Sequence, residues 1–181
     1  MSELTYMSIA ATLSVLEAEG KLMRYTPTSR RRPARRLYLT AQANKDRTDP
    51  NSAVNLLMGS TGRGSIEAAL VLWTLGDQVY GTDEGQCSFL CRLEPPPHEI
   101  WDVRVTAPTP QARLFGRLIE PDTLVLTNFH TRDFLGRKGS ANWTLAMTTC
   151  ETTWKSLFGD LLFVGNDIHD YVTENCDDFY I

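Results

Sequence analysis

Four short segments rich in strand-forming residues lie close together in the middle of the chain, at 88–93, 100–105, 112–119 and 123–129. Turn-forming residues separate them, including three consecutive prolines at 95–97 and a Glu-Pro-Asp sequence at 120–122. Short strands joined by tight turns are typical of antiparallel sheets. The pattern therefore predicts a four-strand antiparallel meander.

Helical patterns precede and follow these strands. They predict helices at 4–19, 51–58 and 65–79, one that begins at Ser140 or Asn142 and ends near Lys155, and a last one at 167–175. Residues 21–26 and 34–40 predict a hairpin with an arginine-rich tip, and the glycines between 59 and 64 predict a flexible link.

The order of these elements predicts an α+β fold in which helices pack on one face of a mainly antiparallel four-strand meander. A chain of 181 residues suits one compact domain with additions, or two very small domains. We divide it into an N-terminal helix with a basic hairpin at 1–45, an α+β core at 46–158 and an acidic C-terminal extension at 159–181.

Charge is unevenly distributed along the chain. The net charge of −4 argues against a nucleic-acid-binding protein, yet residues 21–47 contain nine basic residues and one acidic residue, and residues 156–181 contain six acidic residues and no Lys or Arg. A dense basic segment is typical of a phosphate-rich partner, and a solvated loop is the alternative. The candidate RNA-binding residues of this segment are Arg30, Arg31, Arg32, Arg35 and Arg36.

Several classes of protein are excluded by what the sequence lacks. No apolar stretch approaches the ~18 residues of a membrane span, and the first residues do not resemble a secretory signal, so we expect a cytoplasmic location. The spacing of the four cysteines predicts no metal site, with a zinc site that includes His98 as the alternative. The motifs of nucleotide-cofactor and acyl-transfer enzymes are absent, and we predict no cofactor.

Alternation in segment 112–119 places Arg113, Phe115 and Arg117 on one face of a strand. Two arginines beside an aromatic ring predict a surface that holds phosphate and stacks on a base. The alternative is that the arginines are solvated and that Phe115 packs under a loop or tail.

The sequences IWDVRV at 100–105, ARLFGR at 112–117 and TLVLTNFH at 123–130 together resemble the RelE/ParE toxin superfamily, and most of all its phage-derived, HigB-like branch. The resemblance covers roughly residues 35–157. It implies a RelE-like fold and a metal-independent endoribonuclease that inhibits translation by cutting mRNA on the ribosome. It also implies an antitoxin protein as a partner.

Such cleavage requires cations at the scissile phosphate and groups that transfer protons. The resemblance implies Arg117 or Arg132 as the phosphate clamp, with a solvated or salt-bridged arginine as the alternative. It implies His130 as the acid–base residue, because an unperturbed histidine titrates near neutral pH, with a strand-end histidine hydrogen-bonded to backbone as the alternative. The implied RNA contacts are Arg113, Phe115, Arg137 and Lys138. Arg104 is instead predicted to form a structural ion pair with Asp102 or Glu99.

Two other functions remain open from the sequence. One is a non-catalytic phage or mobile-element module that binds nucleic acid or protein. The other is a DNA-binding regulator, because residues 10–40 resemble the last helix and wing of a winged-helix domain. The sequence leaves the oligomeric state undetermined.

Overall fold

The computed structural model of the protein describes residues 8–82, 89–93, 98–107 and 109–178. Within these residues the strands are β1 (Leu22–Arg24), β2 (Arg36–Thr40), β3 (Val79–Thr82), β4 (Leu90–Leu93), β5 (Ile100–Val105), β6 (Ala112–Glu120), β7 (Thr123–Thr131) and β8 (Cys176–Asp178). The helices are α1 (Ile9–Ala18), α2 (Ala41–Thr48), α3 (Ala53–Thr74), α4 (Arg132–Leu135), α5 (Ala141–Phe158) and α6 (Ile168–Tyr171).

The strands form one mixed sheet in the order β1-β2-β7-β6-β5-β4-β3-β8. Strands β4 to β7 pair antiparallel, whereas β2 runs parallel to β7, and β3 runs parallel to both β4 and β8. The α+β class is confirmed, but the prediction of a sheet with only four antiparallel strands was wrong. Short strands from both ends of the chain cover the two edges of the central strands, which would otherwise expose unpaired backbone groups.

Helices cover both faces of the sheet, and not one face as the sequence predicted. Helices α2, α3 and α6 contribute to the largest core cluster, and α1, α4 and α5 contribute to two clusters on the opposite face. The reason lies in β6 and β7, in which all but one residue of each strand is buried. Strands buried on both faces require a layer of cover on each side.

Helix α3 joins two segments that the sequence analysis separated by a flexible link. The helix runs from Ala53 to Thr74 with a kink at Gly59, whose φ of 65° and ψ of −169° are not helical. Gly62 is buried beside Met58, and a Cβ atom on it would lie 2.4 Å from the Met58 Cβ atom. The glycines therefore permit a bend and a close contact within one helix.

The N-terminal hairpin is confirmed, since β1 and β2 pair antiparallel. It is not a projecting wing, because β2 also pairs with β7 inside the sheet. The C-terminal segment is likewise part of the same sheet through β8, and Ile168 and Tyr171 of α6 are buried in the main core. The predicted last helix, 167–175, ends at Tyr171.

Candidate functional site

Four basic side chains line one cavity of about 300 Å³ on the sheet face that α4 and α5 cover. We call this cavity the cationic pocket; its basic residues are Arg104, Arg113, Arg132 and Lys138, and Cys91, Leu93 and Trp143 complete its lining. A volume of 300 Å³ is at the small end of the range in which proteins bind small ligands or single groups of larger ones.

The floor of the cationic pocket is built by two neighbouring strands. Arg104 of β5 lies directly opposite Arg113 of β6 in the antiparallel register. Like charges in opposite positions destabilise a sheet, and Asp102 offsets this repulsion from beneath. Its Oδ1 lies 3.3 Å from Arg104 Nε and its Oδ2 lies 3.3 Å from Arg113 Nε. The ion pair of Arg104 with Asp102 is therefore confirmed.

The rim of the pocket comes from the segment between β7 and α5. Arg132 is the first residue of α4, and its guanidinium carbon lies 5.7 Å from the centre of the Trp143 ring. The Trp143 backbone N–H donates to the hydroxyl of Ser140, the N-cap of α5, which fixes the start of that helix. Lys138 is exposed in the loop between α4 and α5.

The electrostatic balance of the pocket favours an anion. Burial lowers the pKa of Arg113, but a guanidinium still does not deprotonate in a protein. Burial raises the pKa of Asp102, and the nearby Arg104 and Arg113 oppose that rise. Even with Asp102 ionised, four cations face one carboxylate among the described residues. The buried indole N–H of Trp143 also finds no acceptor in the described part of the chain.

Arg113, Phe115 and Arg117 do share one face of β6, but α5 covers most of that face. Phe115 is fully buried, with its ring 5.8 Å from the Trp143 ring, so its surface is not open to a base. Arg117 is also buried, 3.6 Å from Glu151 Oε1 and over the ring of Trp154. The structure does not bring Arg117 into the cationic pocket with Arg132.

His130 lies opposite Arg113 in the register, yet it lines a different cavity. This second cavity, the apolar groove, has a volume of about 410 Å³, and its apolar walls include Val54, Leu57, Phe134 and Leu145. The His130 ring stacks on Phe134 at 5.2 Å, and its Nε2 lies 3.0 Å from the amide nitrogen of Asn128. Burial lowers the pKa of His130, which matches an Nε2 that accepts a hydrogen bond.

The arginine-rich segment lies at the other end of β7 from the cationic pocket. Arg36 pairs in register with Thr123 at the start of β7, whereas Arg113 pairs with His130 near its end. At about 3.4 Å per residue this separation is on the order of 20 Å. The two basic segments of the sequence therefore do not form one surface.

Most of this arginine-rich segment already has structural partners. Arg31 binds Asp77 at 2.6 Å and Arg36 binds Glu120 at 2.6 Å. Arg35 is buried over Trp73 and donates to backbone carbonyls near the C-terminus. Arg30 and Arg32 are exposed and form no ion pair with the described residues.

The site residues implied by the resemblance thus divide into those in or beside the cationic pocket and those outside it. Arg113, Arg132 and Lys138 meet in the cationic pocket, and Arg137 is exposed in the loop that carries Lys138. Phe115, Arg117 and His130 lie outside it. Arg104 also lines the pocket, although the sequence predicted only an ion pair for it. The sequence does not show that Arg104 lies opposite Arg113, which is what brings it into the pocket.

No cluster of three or more metal-ligating side chains occurs among the described residues. Cys91, Cys150 and Cys176 are buried and form no disulfide, and Cys87 lies outside the described part. His98 lies against Glu151. Of the helices that the structure describes, none has the length and apolar character needed to cross a membrane.

Comparison with protein-family models, curated proteins and solved structures finds no match to this chain. The resemblance to the RelE/ParE superfamily therefore stays a prediction.

Proposed function

We propose that this protein binds RNA through phosphate held in the cationic pocket and acts as a non-catalytic binding module. The observation that carries the proposal is the convergence of Arg104, Arg113, Arg132 and Lys138 on one cavity. Cations that neutralise phosphate release counterions, which supplies affinity. Guanidinium groups add paired hydrogen bonds to phosphate oxygens.

The position of the pocket within the sheet also supports RNA as the ligand. Arg104 and Arg113 lie on β5 and β6, two of the three strands whose sequences resemble the RNA-cutting superfamily. Exposed Arg137, next to Lys138, extends the basic surface beyond the pocket rim. A charged pocket with further cations along its rim suits a strand that carries several phosphates.

Binding is favoured over cleavage by the surroundings of His130. A general base must reach the proton that it removes, directly or through one water. His130 lines the apolar groove, and its Nε2 is engaged by Asn128. The described lining of the cationic pocket contains no imidazole or carboxylate.

The proposal is tested by the fluorescence anisotropy of a short labelled single-stranded RNA. Arg132→Gln and Lys138→Gln should each weaken binding about tenfold or more, because hydrogen bonds to charged groups contribute about 1.5–3 kcal/mol. Each substitution should also lower the slope of log affinity against log salt by about 0.7. Thermal unfolding of each variant verifies that it is folded.

Arg30→Gln and Arg32→Gln are the matched controls, because each removes one exposed charge at the far end of β7. They should change affinity much less than the pocket variants. Equal losses for pocket and control variants, or no binding by the wild type, would overturn the proposal. Fragments of the RNA after incubation with the wild type, absent with Arg132→Gln, would replace it with the ribonuclease hypothesis.

A further inference from the structure

We infer that the cationic pocket receives a terminal phosphate monoester of RNA and not an internal phosphodiester. This inference rests on the proposed function and makes it more specific. It concerns which phosphate of the strand enters the pocket, and therefore whether the protein recognises the end of an RNA or any position along it.

The first argument is the amount of charge in the pocket. Four cations surround the cavity, and Asp102 lies against Arg104 and Arg113 at its floor. Arg132 and Lys138 form no ion pair with the described residues, so at least their two positive charges are in excess. An internal phosphodiester brings one negative charge. A monoester brings about 1.5 to 2 at neutral pH and so balances more of this excess.

The second argument is the closed floor of the pocket. Asp102 is fully buried beneath it, and Arg113 and Trp143 are only 6% and 3% exposed. The exposed Lys138 and the partly exposed Arg104 and Arg132 mark the open side, opposite buried Arg113 and Trp143. An internal phosphate needs a path for the chain on both sides, whereas a terminal phosphate needs a single opening.

The third argument is the direction of the hydrogen bonds. The guanidinium, ammonium and indole groups of the pocket are all donors without acceptor capacity. A monoester presents three charged terminal oxygen acceptors to the guanidinium and ammonium groups, whereas a terminal ribose hydroxyl presents one neutral oxygen.

The test compares three RNA oligonucleotides of one sequence with the same internal fluorescent label. One carries a 5′-phosphate, one a 3′-phosphate, and one has hydroxyl groups at both ends. We expect at least one phosphorylated RNA to bind about tenfold or more tightly than the hydroxyl RNA, the effect of roughly one additional charge-assisted hydrogen bond. That preference should shrink as the pH falls through about 6, where a monoester loses its second charge.

Variants separate the pocket from general charge effects. Arg132→Gln should reduce the preference for the phosphorylated end, whereas Arg63→Gln, which removes an exposed charge from α3, should leave it unchanged. Inorganic phosphate should compete with the phosphorylated RNA more effectively than with the hydroxyl RNA.

Two failures are distinguishable. Equal affinities for all three RNAs, with pocket variants still weakening them, would overturn the terminal-phosphate inference and leave the proposed function in place. Absence of binding to all three RNAs would overturn both, even if inorganic phosphate alone bound to the protein.

Discussion

Asp46 replaces a neighbouring strand for Phe129: its Oδ2 accepts a hydrogen bond of 3.0 Å from the Phe129 backbone N–H. Strand β2 ends at Thr40, so none of the described strands pairs with the second half of β7 on that side. The Thr40 hydroxyl donates to the Thr127 carbonyl, and Gln42 donates to the other oxygen of Asp46. Helix α2 thus closes an open sheet edge with side chains.

Asp46→Asn should become more stable relative to the wild type as the pH rises. Burial raises the pKa of Asp46 above its ordinary value of 3.8, against hydrogen bonds from Phe129 and Gln42 and the charge of Lys45. The folded protein therefore holds this proton more tightly than the unfolded chain does. Protonated Asp46 therefore stabilises the wild type fully below the ordinary pKa, and this stabilisation is lost as the pH rises through the raised pKa of the folded protein.

Urea unfolding of the wild type and Asp46→Asn from pH 3.5 to pH 7 measures this difference. Asparagine keeps an acceptor for the Phe129 N–H but cannot ionise. A difference in unfolding free energy that stayed constant across that range would contradict the prediction.

Gly116→Ala should destabilise the protein by about 1–3 kcal/mol, as expected for overpacking. A Cβ atom at this position would lie 2.3 Å from the carbonyl oxygen of Val125 and 3.0 Å from the Leu126 Cα atom, so backbone must move. Gly64→Ala in α3 is the matched control, because a Cβ atom there meets nothing within 4 Å. It should stabilise by about 0.5–1 kcal/mol, measured by urea unfolding.

Arg35→Ala should lower the unfolding free energy by about 3 kcal/mol, whereas Arg30→Ala should change it by less than about 0.5 kcal/mol. Arg35 is buried, lies 3.6 Å from Asp122 and donates to the Asp77 carbonyl at 3.1 Å and to the Glu174 carbonyl. Faster proteolysis of the C-terminal segment in Arg35→Ala should accompany the loss. If Arg35→Ala changed the unfolding free energy as little as Arg30→Ala, the structural role of Arg35 would be contradicted.

Tyr171→Phe should cost about 1–3 kcal/mol. The Tyr171 hydroxyl donates to Glu99 Oε2 at 2.5 Å and accepts from the Gly165 N–H at 2.6 Å, and Glu99 is buried beside Arg92. Burial and Glu99 both raise the pKa of Tyr171. Tyr38→Phe is the control, since Tyr38 is also buried, at 4% exposed, but its hydroxyl forms no hydrogen bond with a described residue. Similar thermal shifts for the two variants would contradict this role of the hydroxyl.

The sequence by itself determined the local elements of this protein. The central strands, the β1–β2 hairpin and the shared face of Arg113, Phe115 and Arg117 all follow from alternation and turn residues, which act between near neighbours in the chain. The last predicted helix, at 167–175, likewise contains Ile168 and Tyr171, which pack in the main core.

Only the tertiary structure decided which of these elements meet and which faces remain open. The parallel pairing of β2 with β7 joins residues more than 80 positions apart, and no local pattern specifies such a partner. An arginine also has the same sequence signal whether it is exposed, as Arg30 is, or buried, as Arg35 is. Long-range packing placed α5 over Arg117 and Phe115 and left Arg113 and Arg132 around a cavity, because burial depends on which helix covers each strand.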